Sequence, residues 1–159
     1  MKLKYTPEER IRLGPDDRWI SEEEHEYPPD DLDRIKLVVA GVRRAILQEP
    51  YVETEEVTHW LGVDDVTGMV GEGDLLAFQD YGDLLFPKFQ FDPETHQPRE
   101  VCRKVNKLMG APDDGWGVTG WWIQRNGSLP EAIPPKQLLG TPSEYVLPDL
   151  AAASHDHSY

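Results

Sequence analysis

Cysteine is almost missing from this chain of 159 residues: Cys102 stands alone, which excludes an internal disulfide framework and suits a reducing cytoplasm. No apolar run approaches the roughly 20 residues that span a bilayer. The opening MKLKYTPEERIRLG lacks the apolar core of a signal peptide, so the expectation is a soluble cytoplasmic protein with no membrane attachment. Basic residues are scarce in one place: residues 51–97 hold Lys88 alone against eleven acids. The whole chain has 16 Lys+Arg, 30 Asp+Glu and a net charge of −14, and that central block holds most of the imbalance. Hydrophobic residues are 38%, and 14 prolines with 13 glycines imply a modest core broken by many boundaries. The length fits one domain, or two very small ones sharing a core.

Signatures of catalysis are missing as well. There is no phosphate-binding P-loop, dinucleotide fingerprint, zinc-ligand spacing or nucleophile elbow. Asp64-Asp65, Asp80 with Asp83 and Asp113-Asp114 are carboxylate pairs, but they fall in turns and helix caps rather than around a pocket. Cys102 has no second nucleophile motif near it and reads as a small packed residue. Of the five histidines, His25, His59 and His96 have no partner motif, and His155-x-His157 supplies two ligands where a closed site needs more. The chain is therefore read as a non-enzyme without cofactor or metal.

What is present divides into four stretches. Residues 1–30 end in SEEEHEYPPD and read as an acidic, disordered arm on which Trp19 and Ile20 are docking candidates. Residues 31–97 begin with an amphipathic helix: Leu32, Ile35, Val38, Val39, Val42 and Ile46 recur at steps of three and four, with Asp30 or Asp31 as cap and Pro50 as stop. A short helix follows, with Val57, Trp60 and Leu61 on one side and Gly62 at its left-handed end. A second short helix, VDDVTGMVGEG, turns Val63, Val66 and Val70 inward. Then come two apolar strands joined at Asp80-Tyr81-Gly82-Asp83, a hairpin signal. LLFPKFQFD is read as the second strand, with Phe86 or Phe89 buried and Asp92 closing it. Two short helices and a hairpin outline a winged helix-turn-helix.

Residues 98–147 return to helical spacing, with Val101, Val105, Leu108 and Met109 on one face up to Gly110. Asp113 or Asp114 caps a further short helix that ends at Asn126-Gly127, and a helical turn surrounds 136–139. Residues 148–159 are expected as a flexible tail. Trp116, Trp121 and Trp122 are three of the five tryptophans. Neighbours on a helix point about 100° apart, so one small core does not readily bury both Trp121 and Trp122, and one is free for a partner.

The order W-L-G-V at 60–63 and then G-x-L-L-A-x4-G-x-L-x-F-P-x-F-Q-F-D at 73–92 resembles an excisionase-like winged helix-turn-helix. The continuation is similar to the toxin-binding region of Xre/ParS-type antitoxins, in Phe89-Gln90-Phe91-Asp92, the D-x-W at 114–116, Trp121-Trp122, Asn126-Gly127-Ser128-Leu129 and the P-x-x-L-L at 135–139. It covers roughly residues 54–140. It implies an antitoxin that neutralises a partner toxin, such as a RES-type NAD-consuming enzyme, by covering its active site. The partner-binding residues so expected are Trp121, Trp122, Asn126, Leu129, Leu138 and Leu139, with His155, His157 and Tyr159 of the tail.

The same fold type invites DNA, and charge argues against it. A recognition helix enters the major groove by its N-terminal part. Here that part offers Asp64 and Asp65 and no Arg, Lys, Asn or Gln. Affinity for DNA comes largely from Lys and Arg displacing counterions. Thr67 in that helix, with Arg99, Arg103 and Lys104 of the basic stretch 99–107, are the DNA-contact candidates. The expectation is thus a mainly α fold with a small β-hairpin, a winged helix-turn-helix followed by short C-terminal helices, acting as an antitoxin-like binder. A winged-helix transcription regulator without a toxin partner is the alternative, and a homodimer is left open.

Overall fold

The computed structural model describes residues 29–156, with side chains from 33 to 154. The acidic arm expected at 1–30 lies outside the described residues save for Pro29 and Asp30, and His157 and Tyr159 lie outside them too. The chain divides into two compact units, Met1–Gln48 and Glu49–Tyr159. That division sets the first amphipathic helix apart from the stretch 51–97 with which the sequence had grouped it.

In the first unit the described residues form one helix, α1 (Pro29–Gln48). Its expected inward face is not covered as a whole, because Ile35, Val38 and Val39 are exposed, as is Leu37.

The second unit is mainly helical around a small antiparallel sheet. Strand β1 (Tyr51–Glu53) leads directly into α2 (Thr54–Leu61). Gly62 ends α2 in the left-handed region at φ 63°, its N–H returning to Thr58 O. The following helix, α3 (Val66–Gly71), starts later than its apolar spacing suggested, because the Asp65 carboxylate accepts the Gly68 N–H at 2.8 Å and fixes the first turn there. Strands β2 (Phe78–Asp80) and β3 (Asp83–Pro87) form the expected hairpin. Tyr81 and Gly82 have φ of 52° and 88°, the two left-handed residues that a tight two-residue hairpin turn requires. The sheet order is β1-β3-β2, so β1, unforeseen from sequence, adds a third strand along β3.

β3 stops at Pro87, and Lys88–Gln90 turns into a 3-10 segment. FPKFQF is therefore not one continuous strand. The C-terminal half contains α4 (Glu100–Leu108), α5 (Gly115–Ile123), three 3-10 turns (Pro130–Ala132, Pro135–Leu138 and Glu144–Val146) and α6 (Leu147–Asp156). On α4 the buried face is Val101, Cys102 and Val105, while Leu108 is exposed. The stretch 148–159, expected as a loose tail, is helical as far as Asp156. Leu147, Leu150, Ala151 and Ser154 share one face by their spacing, and the fully buried Leu147 and Ala151 join the core that α4 supplies.

Two apolar clusters result. One gathers Val52, Val57, Val66, Leu75, Ala77, Phe86 and Phe91 beneath the sheet and the short helices. The other gathers Leu76, Val101, Cys102, Val105, Ala111, Val118, Trp122, Leu147 and Ala151. Leu75, Leu76 and Ala77 alternate between them, the pattern of an extended segment with a core on each side. Among the described residues no helix is long and apolar enough to cross a membrane.

Candidate functional site

Helix α5 and the turns after it carry most of the expected partner-binding residues. Its start is fixed twice. Asp114 Oδ1 accepts the Gly117 N–H at 2.9 Å, and the Trp116 indole N–H donates to Gln79 O of β2 at 2.9 Å. Trp116 also lies against Phe78, with ring centroids 4.7 Å apart.

The adjacent tryptophans have different fates. Trp122 is wholly enclosed, with its indole N–H donated to Asn106 Oδ1 at 3.2 Å and Phe89 at 5.5 Å between centroids. It is a core residue, and its expected role in partner contact is corrected: the large ring is enclosed where α4, α5 and α6 bring their apolar residues into one cluster. Trp121 is half-buried, edge-on to Trp122 at 5.2 Å, and its N–H donates to Ser154 Oγ at 3.2 Å. A cavity of about 530 Å³ lies beside it, bounded by Met109, Gly110, Asp113, Asp114, Gly117, Val118, Trp121, Gln124 and Ser154.

The Asn-Gly-Ser-Leu stretch is a closed turn. Asn126 Oδ1 accepts the Ser128 N–H at 2.9 Å, and the Asn126 N–H donates to Ile133 O at 3.2 Å. Arg125 clamps the same loop, donating to Ala132 O at 3.2 Å and Glu131 O at 3.0 Å. Asn126 is thus committed within the loop, and Leu129 is buried, so it too is corrected from partner contact to packing. Leu138 and Leu139 are half-buried against the Trp122 cluster. The Pro135–Leu138 turn is tied by Lys136 Nζ to Glu49 Oε1 at 2.6 Å. His155 belongs to α6, one residue beyond Ser154, and its side chain is not among those described. The structure therefore brings Trp121 and the last turn of α6 together, and packs Leu138 and Leu139 on the same core.

Two of the basic DNA-contact candidates, Arg99 and Arg103, make bonds within the protein. Thr67 is exposed on a six-residue helix beside the exposed Asp64 and Asp65. Arg103 donates to Asp74 at 3.1 Å and approaches Glu100 at 3.5 Å, while Lys107 reaches the same Asp74 oxygen at 3.0 Å. Hydrogen bonding by Lys107, joined by the Arg103 bond, holds the Asp74 carboxyl below its ordinary range against the opposing effect of burial. Arg99 spends its Nε on Phe89 O at 3.1 Å. Of the four basic residues in 99–107, Lys104 alone is exposed without such a tie among the described residues.

Cys102 is deeply buried, and burial drives its thiol far above the ordinary range, an unreactive state. Among the described side chains no three His, Cys, Asp or Glu converge as metal ligands would. Sequence reasoning missed Asp74, whose only signal was an acid next to the apolar run LLAF, and it missed Ser154, hidden in the presumed tail.

Comparison with family models, with curated proteins and with solved structures gives no match.

Proposed function

We propose that this chain is an antitoxin-like binding module that engages a partner toxin enzyme and neutralises it by covering its active site. One observation carries the reading. The half-buried Trp121 holds Ser154 in the last described turn of α6, beside a cavity bounded in part by Asp113 and Asp114. The terminal residues His155, His157 and Tyr159 follow from that edge in sequence. A tryptophan at the rim of a concavity is a favoured interface anchor. The surrounding acidity and the net charge of −14 favour association with a basic or nucleotide-binding surface, chiefly through the encounter rate. The D-x-W, W-W, N-G-S-L and P-x-x-L-L elements that resemble the Xre/ParS toxin-binding region are folded together around α5, which supports the same reading.

Helices α2 and α3 with the β2–β3 hairpin are proposed as a winged helix-turn-helix retained as scaffold. The ion pairs of Arg103 and Lys107 with Asp74 leave little spare positive charge on α4 for phosphate contacts. The proposed place of action is the cytoplasm.

The test is coexpression with the product of the adjacent gene. The expected result is copurification, loss of that enzyme's activity, and release of inhibition when residues 155–159 are deleted or Trp121 is replaced by Ala. Unimpaired enzyme activity beside the folded, intact chain would remove the proposal. A gel shift on the chain's own promoter across a salt series tests the regulator alternative.

A further inference from the structure

A second cavity, of about 470 Å³, lies away from Trp121 and is bounded by residues from four separate places in the sequence of the second unit. Its aromatic walls are Trp60 of α2 with Phe89 and Phe91 from the turn after β3. Trp60 meets Phe91 edge-on at 5.3 Å and is stacked by the His96 imidazole at 4.2 Å with 15° between planes. The loop that delivers His96 is fixed at its base by the Phe91–Pro98 bridge. Inside it, Asp92 Oδ1 accepts the Glu94 and Thr95 N–H groups at 2.8 and 3.2 Å, and His96 N–H donates to Asp92 O at 2.8 Å. His96 itself sits at a left-handed φ of 60°, a conformation that a non-glycine residue keeps when its surroundings hold it. The cavity wall is therefore built before any ligand arrives.

Four charged groups border the cavity, and they are not equivalent. Glu49 is spent on Lys136 at 2.6 Å, and Asp92 is spent on the turn N–H groups, which hold its carboxyl below the ordinary range. The two cations are less engaged. Arg99 is anchored through Nε to Phe89 O at 3.1 Å and through its backbone N–H to Gln90 O at 2.7 Å. Among the described residues neither its Nη groups nor the Lys88 Nζ has an acceptor. In a strongly acidic protein this cavity combines aromatic walls with two cations whose outer N–H donors have no hydrogen-bonded acceptor among the described residues, Arg99 also attracting the nearby Asp92 carboxylate.

We propose that this cavity binds a small aromatic carboxylate, its ring against Trp60, Phe89 and Phe91 and its carboxylate on Arg99 and Lys88. The volume falls in the range of ligand sites, about 300–1,000 Å³. A guanidinium held in place through Nε keeps its outer N–H groups for a planar, two-oxygen acceptor, the geometry in which Arg outperforms Lys. The carboxylate is supplied either by a free small acid or by the C-terminal aromatic residue of a peptide.

Calorimetric titration of the full chain with 3-phenylpropionate, 3-phenylpropionamide and a short peptide ending in Phe separates these cases. The expected result is saturable 1:1 binding of at least one acid, with the matching amide (or amidated peptide) at least tenfold weaker. Tighter binding of the free acid assigns a small-molecule site; tighter binding of the peptide assigns a chain terminus. Lys88→Ala, at an exposed position, is expected to weaken the preferred acid several-fold and Arg99→Gln at least tenfold, with thermal melts reporting that each variant is folded. The proposal fails if acid and amide bind equally, if neither acid saturates by about 10 mM, or if folded Lys88→Ala keeps full affinity. None of these outcomes depends on a toxin partner.

Discussion

The Gln90 carboxamide pairs with both backbone groups of Leu76: Oε1 accepts the Leu76 N–H at 2.8 Å and Nε2 donates to the Leu76 carbonyl at 2.8 Å. Nε2 also reaches Pro87 O at 3.0 Å. A side chain thus stands in for a neighbouring strand where the extended segment 75–77 has none. Both residues are essentially inaccessible. Leu76 belongs to one apolar cluster and its neighbours Leu75 and Ala77 to the other, so this pairing sits where the two cores meet.

Replacing Gln90 by Leu is expected to lower stability by about 2–4 kcal/mol, since it leaves a buried N–H and a buried C=O unpaired. Gln90→Glu is the sharper test. An ionised carboxylate accepts from Leu76 N–H but cannot donate to its carbonyl, whereas the protonated acid does both. The Glu variant should therefore recover part of its deficit as pH falls from 7 toward 4, while the Leu variant should not. Urea unfolding at several pH values reads this, and parallel pH profiles for the two variants would refute the pairing.

Gly115 opens α5 directly against β2. A methyl group there would collide with Ala77 O and come within 3.3 Å of Phe78 Cα, both of them backbone. Gly115→Ala is expected to cost about 1–3 kcal/mol by overpacking. Gly127→Ala, with nothing within 4 Å of its added methyl, should stay within about 0.5 kcal/mol. Equal melting temperatures for the two variants would contradict the close approach of α5 to the sheet.

Local rules made part of this fold legible from the sequence. Gly62 ends α2 as a left-handed residue, Asp114 caps α5, and Tyr81-Gly82 turn the hairpin, because each depends on residues within three or four positions. Long-range pairing was not legible. Tyr51-Val52-Glu53 is a strand only because β3 lies alongside it. The role of the Gln90 side chain depends on a partner 14 positions earlier, which no local pattern marks. The last helix was hidden because its burial rests on two residues, Leu147 and Ala151, one of them too small to mark an apolar face. At the candidate site, angular spacing anticipated that Trp121 and Trp122 would part company. The Trp60–His96 cavity was invisible, since its walls come from places far apart in the chain.

Asp74 ties Arg103 and Lys107 of α4 to the start of the buried segment, and its carboxyl lies below the ordinary 3.8, first through the Lys107 hydrogen bond. A depressed folded-state pKa adds stability that is present above the unfolded value, near 3.8, and is lost as pH falls through the lower folded value. Asp74→Asn should thus be less stable than the parent by about 1 kcal/mol at pH 7, the scale of partly exposed ion pairs. The gap should close below about pH 4. Chemical denaturation between pH 2 and 7 measures it, and a gap independent of pH would exclude this role.

The tryptophan pair separates stability from binding. Trp122→Ala empties a fully buried site and is expected to cost about 3–5 kcal/mol. Even Trp122→Phe should cost about 1–3 kcal/mol. It strips the partner from Asn106 Oδ1, in a side chain whose Nδ2 already lacks an acceptor among the described residues. Trp121→Ala removes a half-buried ring and one hydrogen bond to Ser154, so its cost should stay near 1 kcal/mol. If the edge formed by Trp121 and α6 is the partner surface, the order reverses for binding. Trp121→Ala should then weaken the toxin complex at least tenfold, about 1.4 kcal/mol, whereas folded Trp122→Phe should bind almost as the parent does. Urea unfolding and complex titration on the same two proteins give both orders, and a Trp121→Ala protein that binds undiminished would move the interface elsewhere.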